Sequence, residues 1–82
     1  MRYKLNISQA AIEQLRALPK ELRRNLGFRI ESLCEDLQGE VKKLKGKSNR
    51  YRLRVGGYRV LFKLEGDFIE VYAVKDRKDV YE

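Results

Sequence analysis

The spacing of apolar residues changes twice along the chain. Over residues 2–7 apolar and polar positions alternate, with Tyr3, Leu5 and Ile7 on one face, which predicts a short first strand. Ser8 is placed to cap a helix reaching about Leu18, with Ala11 or Ile12, Leu15 and Leu18 turned inward. Pro19 ends that helix and suits the first turn of the next. Leu22, Leu26, Ile30, Leu33 and Leu37 then recur at steps of four, four, three and four, the apolar stripe of one long helix closed by Gly39. Glu21, Arg24, Glu31, Glu35 and Asp36 fall off the stripe and read as solvated.

After residues 42–47 the period becomes two. Tyr51, Leu53 and Val55 face one way and Arg50, Arg52 and Arg54 the other. Gly56-Gly57 is a two-residue hairpin turn whose residues tolerate positive φ. The returning strand turns Tyr58, Val60, Phe62 and Leu64 inward, and Arg59, Leu61 and Lys63 outward. Gly66-Asp67 reverses the chain into a last strand over residues 68–74. The first turn pairs Val55 with Tyr58, Leu53 with Val60 and Tyr51 with Phe62; the second pairs Leu64 with Ile69, Phe62 with Val71 and Val60 with Ala73. Both registers put apolar residues on the same face, so they support each other. Outside, Lys63 is expected opposite Glu70 and Leu61 opposite Tyr72. The expected fold is α+β, in the order β-α-α-β-β-β, with two helices on one face of a small, mainly antiparallel four-stranded sheet.

With 82 residues, the chain has room for one domain with one modest core, spanning residues 1–82. No stretch is apolar for long enough to span a bilayer, and residues 1–10 lack a secretory signal's apolar run. Cys34 is the only cysteine, which precludes an internal disulfide and fits a cytoplasmic protein.

Charge sharpens the picture. The net charge is +7, but residues 1–41 carry seven Lys/Arg against six acids and residues 42–82 twelve against six. From Lys42 to Lys63 there are nine basic residues and no acid. Such one-sided charge favours a polyanion: RNA, DNA or an acidic protein. A membrane fits worst, because the charges alternate at strand spacing.

The hairpin register places Arg54 opposite Arg59, with Arg52 two residues along the same face. Like charges directly opposed across strands destabilise a sheet. A phosphate between them would convert repulsion into charge-assisted contacts. The competing reading is a solvated face whose arginine stems splay outward. Lys42, Lys43, Lys45 and Lys47 are either solvated charge or electrostatic steering toward RNA. Cys34 reads as a small core residue. Without histidine there is no serine triad, cysteine–histidine pair or His-based metal site, and the scattered carboxylates make a poor two-metal centre. No cofactor is expected. The C-terminal residues 74–82 carry Arg77, Val80 and Tyr81, more apolar anchorage than a frayed tail needs.

Three stretches carry a resemblance: Leu44-Lys45-Gly46, then Tyr51-Arg52-Leu53-Arg54-Val55-Gly56-Gly57-Tyr58-Arg59-Val60, then Arg77-Lys78-Asp79-Val80-Tyr81. With the two helices before them they resemble the RelE/ParE toxin superfamily over essentially the whole chain, and the terminal Arg-x-x-Val-Tyr tilts the likeness to the RelE branch. That resemblance implies an mRNA interferase of a type II toxin–antitoxin pair. Such a toxin enters the A site of the 30S subunit, against 16S rRNA, and cleaves mRNA there without a metal. It also implies a RelB-like antitoxin, partly disordered and folding on binding, through which the complex meets its own operator DNA. Arg59, Arg77 and Tyr81 match the family's core catalytic positions, with Arg54 assisting, and Arg52 and Arg54 match its alternating basic pair. Arg50 and the four lysines would help to hold RNA. This chain departs from the pattern in having arginine where some members have lysine at 52 and 54, and Lys75-Asp76 where many have Gly-His. A different class of function is a ParE-like toxin that poisons DNA gyrase without catalysis. A third is a plain nucleic-acid-binding module.

Overall fold

Residues 2–46 and 49–76 are described in the computed structural model. Strand β1 (Lys4–Ile7) leads into α1 (Gln9–Arg16) and α2 (Lys20–Ser32), followed by β2 (Glu40–Lys43), β3 (Arg50–Val55), β4 (Tyr58–Glu65) and β5 (Phe68–Asp76). One sheet runs in the order β1-β5-β4-β3-β2, with β1 parallel to β5 and the other pairs antiparallel. The α+β class and the two helices on one face are as expected. The sheet has five strands rather than four.

Ser8 caps α1 as its sequence position suggests: its Oγ accepts the Ala11 N–H at 3.2 Å. A cap of this kind contributes about 1 kcal/mol. Ala11 from α1 and Leu26, Ile30 and Leu33 from the second helical segment are fully buried against Leu53, Val60, Phe62, Ile69 and Val71 of the sheet. Tyr51 and Phe62, opposite each other in register, stack with ring centroids 5.7 Å apart.

The second helix is shorter than its stripe. It stops at Ser32, and Asp36 and Leu37 take left-handed φ of 61° and 56°. The cause is a competing partner: the Cys34 carbonyl accepts the Tyr3 N–H at 2.9 Å, and Arg2 bridges Glu35. Leu33 and Leu37 keep their apolar spacing through this turn, so the pattern outlasts the helix.

Gly39, at φ 119°, then sends the chain into β2. A methyl group there would stand 2.7 Å from Leu53 Cδ1. The strand it starts is an edge strand with one half-buried apolar residue, Val41, among exposed Glu40, Lys42 and Lys43. Lysines on such an edge discourage pairing with another chain.

The β3–β4 register is as predicted, with Arg54 opposite Arg59. Only Gly56 of the turn is left-handed, at φ 57°, which gives the φ signs of a type II′ turn. The β4–β5 register agrees from Glu65 to Phe62, including Lys63 opposite Glu70. It then shifts: Leu61 faces Ala73 and Val60 faces Val74, so Tyr72 is an extra residue in a β-bulge. The expected pairs Leu61–Tyr72 and Val60–Ala73 are therefore each displaced by one position.

Candidate nucleic-acid interface

The helix-free face of the sheet carries its charges in rows fixed by the register. Glu40, Arg54, Arg59 and Lys75 form one row across β2, β3, β4 and β5. Lys42, Arg52, Leu61 and Ala73 form the next, and Arg50, Lys63 and Glu70 the one beyond. Successive rows are two residues apart along β3, about 6.7 Å. That is close to the separation of neighbouring phosphates in an extended single strand.

The bulge completes the first row. In an unbroken ladder Val74 would oppose Arg59 and Lys75 would turn toward the helices. The extra residue moves Lys75 opposite Arg59. Three basic residues on adjacent strands thus share one row, with Arg54 exposed and Arg59 and Lys75 half-buried. Arg59 is steadied by its own hairpin: its Nη1 donates to the carbonyls of Tyr58 at 3.1 Å and Gly56 at 3.4 Å. A guanidinium so held, beside a second arginine, offers several N–H donors to a phosphate at one place.

The row also holds an acid. Glu40, just outside the acid-free stretch of residues 42–63, lies opposite Arg54. It stayed hidden because β2 reads as part of a charge run. Opposite charges placed in register favour this strand pairing, and the carboxylate lowers the positive potential that an incoming anion meets near Arg54.

A sequence profile of the family described as ParE toxin of type II toxin–antitoxin system, parDE, matches residues 5–81. The chain belongs to the RelE/ParE toxin superfamily. Within this superfamily it is RelE-like. Toxin RelE3 of Methanocaldococcus jannaschii is 33% identical over 85 residues, covering 96% of each chain. A RelB–RelE antitoxin–toxin complex from Methanococcus jannaschii contains a chain 30% identical, with a TM-score of 0.77 over 92% of this chain and 93% of that one. An archaeal RelE–RelB complex from Pyrococcus horikoshii gives 31% identity and a TM-score of 0.74 over 98% of this chain and 100% of that one.

In this RelE-like toxin the sequence-predicted residues divide into three groups. Arg50, Arg52, Arg54, Arg59 and Lys42 share the open face. Lys43 pairs with Tyr51, so its row belongs to the helix-covered face, and exposed Lys45 lies in the turn between β2 and β3. Lys47, Arg77 and Tyr81 lie outside the described residues. Sequence reasoning missed Lys75 and Glu40. Lys75 was visible only to a reading that placed the bulge.

Cys34 lines a surface cavity with Arg2, Leu5, Phe28, Glu31, Ser32 and Glu35, away from the arginine rows, and is half-buried rather than a core residue. Burial pushes its thiol above the ordinary range, Glu31 and Glu35 add to the shift, and Arg2 opposes it. At neutral pH it is a protonated, weakly nucleophilic thiol. Among the described residues no helix is long and apolar enough to cross a membrane.

Proposed function

We propose that residues 1–82 form a single toxin domain acting as a ribosome-dependent mRNA endonuclease. The observation that carries the reading is the row of Arg54, Arg59 and Lys75, three cations in register on the open face of the sheet. In the proposed reaction a ribose 2′-oxygen attacks the adjacent phosphorus and the 5′-oxygen leaves. The products are a 2′,3′-cyclic phosphate and a 5′-hydroxyl, so one proton passes from the 2′-oxygen to the leaving oxygen; the proposed reaction uses no metal.

Arg59 binds the phosphoryl oxygens, preorganised by its backbone contacts, and Arg54 assists. Lys75, in the same row, adds positive charge where charge builds up on the phosphoryl group. On the superfamily pattern Arg77 stabilises the phosphate or the leaving oxygen, and Tyr81 stacks on a base or orients the 2′-hydroxyl. Arginine stays protonated, so the proton acceptor lies outside the arginine set. Holding the message in the ribosomal A site supplies much of the rate by fixing the attack geometry.

A RelB-like antitoxin is the proposed neutralising partner, supported by the antitoxin complexes of the two archaeal relatives. An acidic segment laid over Arg52, Arg54 and Arg59 would relieve their mutual repulsion and occlude RNA together.

The test is a reconstituted translation reaction given purified toxin, with primer extension on the message. New 5′ ends within ribosome-bound codons, absent from the same RNA without ribosomes, are expected. Intact message together with trapped gyrase–DNA breaks in toxin-treated cells would replace this reading with the ParE-like one.

A further inference from the structure

Tyr72, the extra residue of the β5 bulge, stands on the open face with cations around its ring. Arg50 Cζ lies 5.1 Å from the ring centroid and Lys63 Nζ 6.0 Å. Arg50 belongs to β3 and Lys63 to β4, so three strands converge on one aromatic ring. Bulges commonly re-aim a side chain next to a functional site. This one leaves Tyr72 without a cross-strand partner and gives its ring to the row of Arg50 and Lys63.

We propose that Tyr72, with Arg50 and Lys63, forms a base-stacking subsite for single-stranded RNA. It lies two nucleotides from the phosphate held at Arg54 and Arg59, and this rests on the RNA-cleaving reading above. Arg54 and Arg50 are four residues apart on β3, about 13 Å, or two phosphate steps of an extended strand. Tyrosine and guanidinium both present flat faces on which bases stack. Glu70 lies in register with Lys63 on the same face, so the row's formal charge is only +1 (two cations less one carboxylate). A carboxylate there repels a second phosphate or an acidic peptide but tolerates a nucleobase, whose exocyclic amino group it can accept. The chemistry therefore favours a base over an anion. Tyr72 is a positioning residue, setting which nucleotide reaches the arginine row.

The subsite is tested with full-length toxin and a 2′-O-methyl RNA hexanucleotide, which binds without being cut. An abasic nucleotide is walked through each position in wild type, Tyr72→Ser, Tyr72→Phe and Arg50→Gln. In wild type one position loses about tenfold in affinity when its base is removed. In Tyr72→Ser that loss disappears because the stacking partner is gone, and Tyr72→Phe restores it. Arg50→Gln blunts it and carries the comparison if Tyr72→Ser fails to fold. Identical abasic profiles in all four proteins would overturn the proposal. Weakened binding of an acidic antitoxin peptide with an unchanged RNA profile would assign the ring to the antitoxin and overturn it too. Failure of the nuclease reading looks different: wild type would cut no translated message, whatever the abasic profile.

Discussion

Gln14 Oε1 accepts the Val74 N–H at 2.6 Å, across 60 residues of sequence. The contact falls where β5 loses its parallel neighbour, since β1 ends at Ile7 opposite Val71 and the chain turns into α1. Beyond that point β5 is a sheet edge, and Gln14 replaces the missing strand at Val74. At the other end of the helix the N-cap Ser8 Oγ donates to the Tyr72 carbonyl at 3.4 Å. Helix α1 thereby holds the bulge that turns Lys75 to the arginine row and Tyr72 to Arg50.

Gln14→Ala should leave the Val74 N–H without its acceptor, at a cost of about 1–3 kcal/mol. Thermal unfolding measures the loss, and amide exchange at Val74 should accelerate more than at Val60. Gln14→Glu keeps an acceptor and should lose less.

Gly39→Ala should destabilise by about 1–3 kcal/mol, because φ 119° is strained for any side chain and the added methyl meets buried Leu53. Denaturant unfolding reports it. Gly27→Ala, whose added methyl meets nothing within 4 Å, should be neutral or slightly stabilising by helix propensity.

Glu40→Gln removes the carboxylate opposite Arg54. RNA affinity should rise by about 1.5- to 5-fold, the scale of one cross-strand ion pair. Titrations at two salt concentrations check it, and the gain should shrink at the higher one.

Cys34 gives a pH signature. Burial favours its neutral thiol in the folded chain, so the folded pKa lies above the unfolded one. The stability this contributes is complete below the free-thiol pKa of about 8.5 and is lost as pH rises through the folded value. Alkylation by iodoacetamide should therefore turn on at a higher pH in the native protein than in urea.

The hairpin was legible because turn length and alternation over-determine it: two residues at 56–57 leave Arg54 no partner but Arg59. The bulge was not, because Val71, Tyr72, Ala73 and Val74 are all apolar or aromatic, and a shift of one position leaves the pattern looking the same. Strand β2 hid for a related reason. Its only apolar residue is Val41, and an edge strand needs no more. The helix end hid because Leu33 and Leu37 keep a helical step after the backbone has turned, and only the distant partners Arg2 and Tyr3 explain where it turns. The open-face arginines and the outward Tyr72 could be read from the sequence; Lys75 and Glu40, which join that face, depended on a bulge and an edge strand that local pattern does not encode.

The most direct test of the account is inducible expression of wild type and Arg59→Ala in parallel, with transcriptome-wide mapping of mRNA 5′ ends. Wild type should arrest growth and accumulate new ends within translated codons. Arg59→Ala should fold normally and lower the cleavage rate by about 100- to 1,000-fold, the usual cost of removing one preorganised donor from a developing negative charge. Full toxicity of Arg59→Ala, or growth arrest with an unchanged map of mRNA ends, would contradict it.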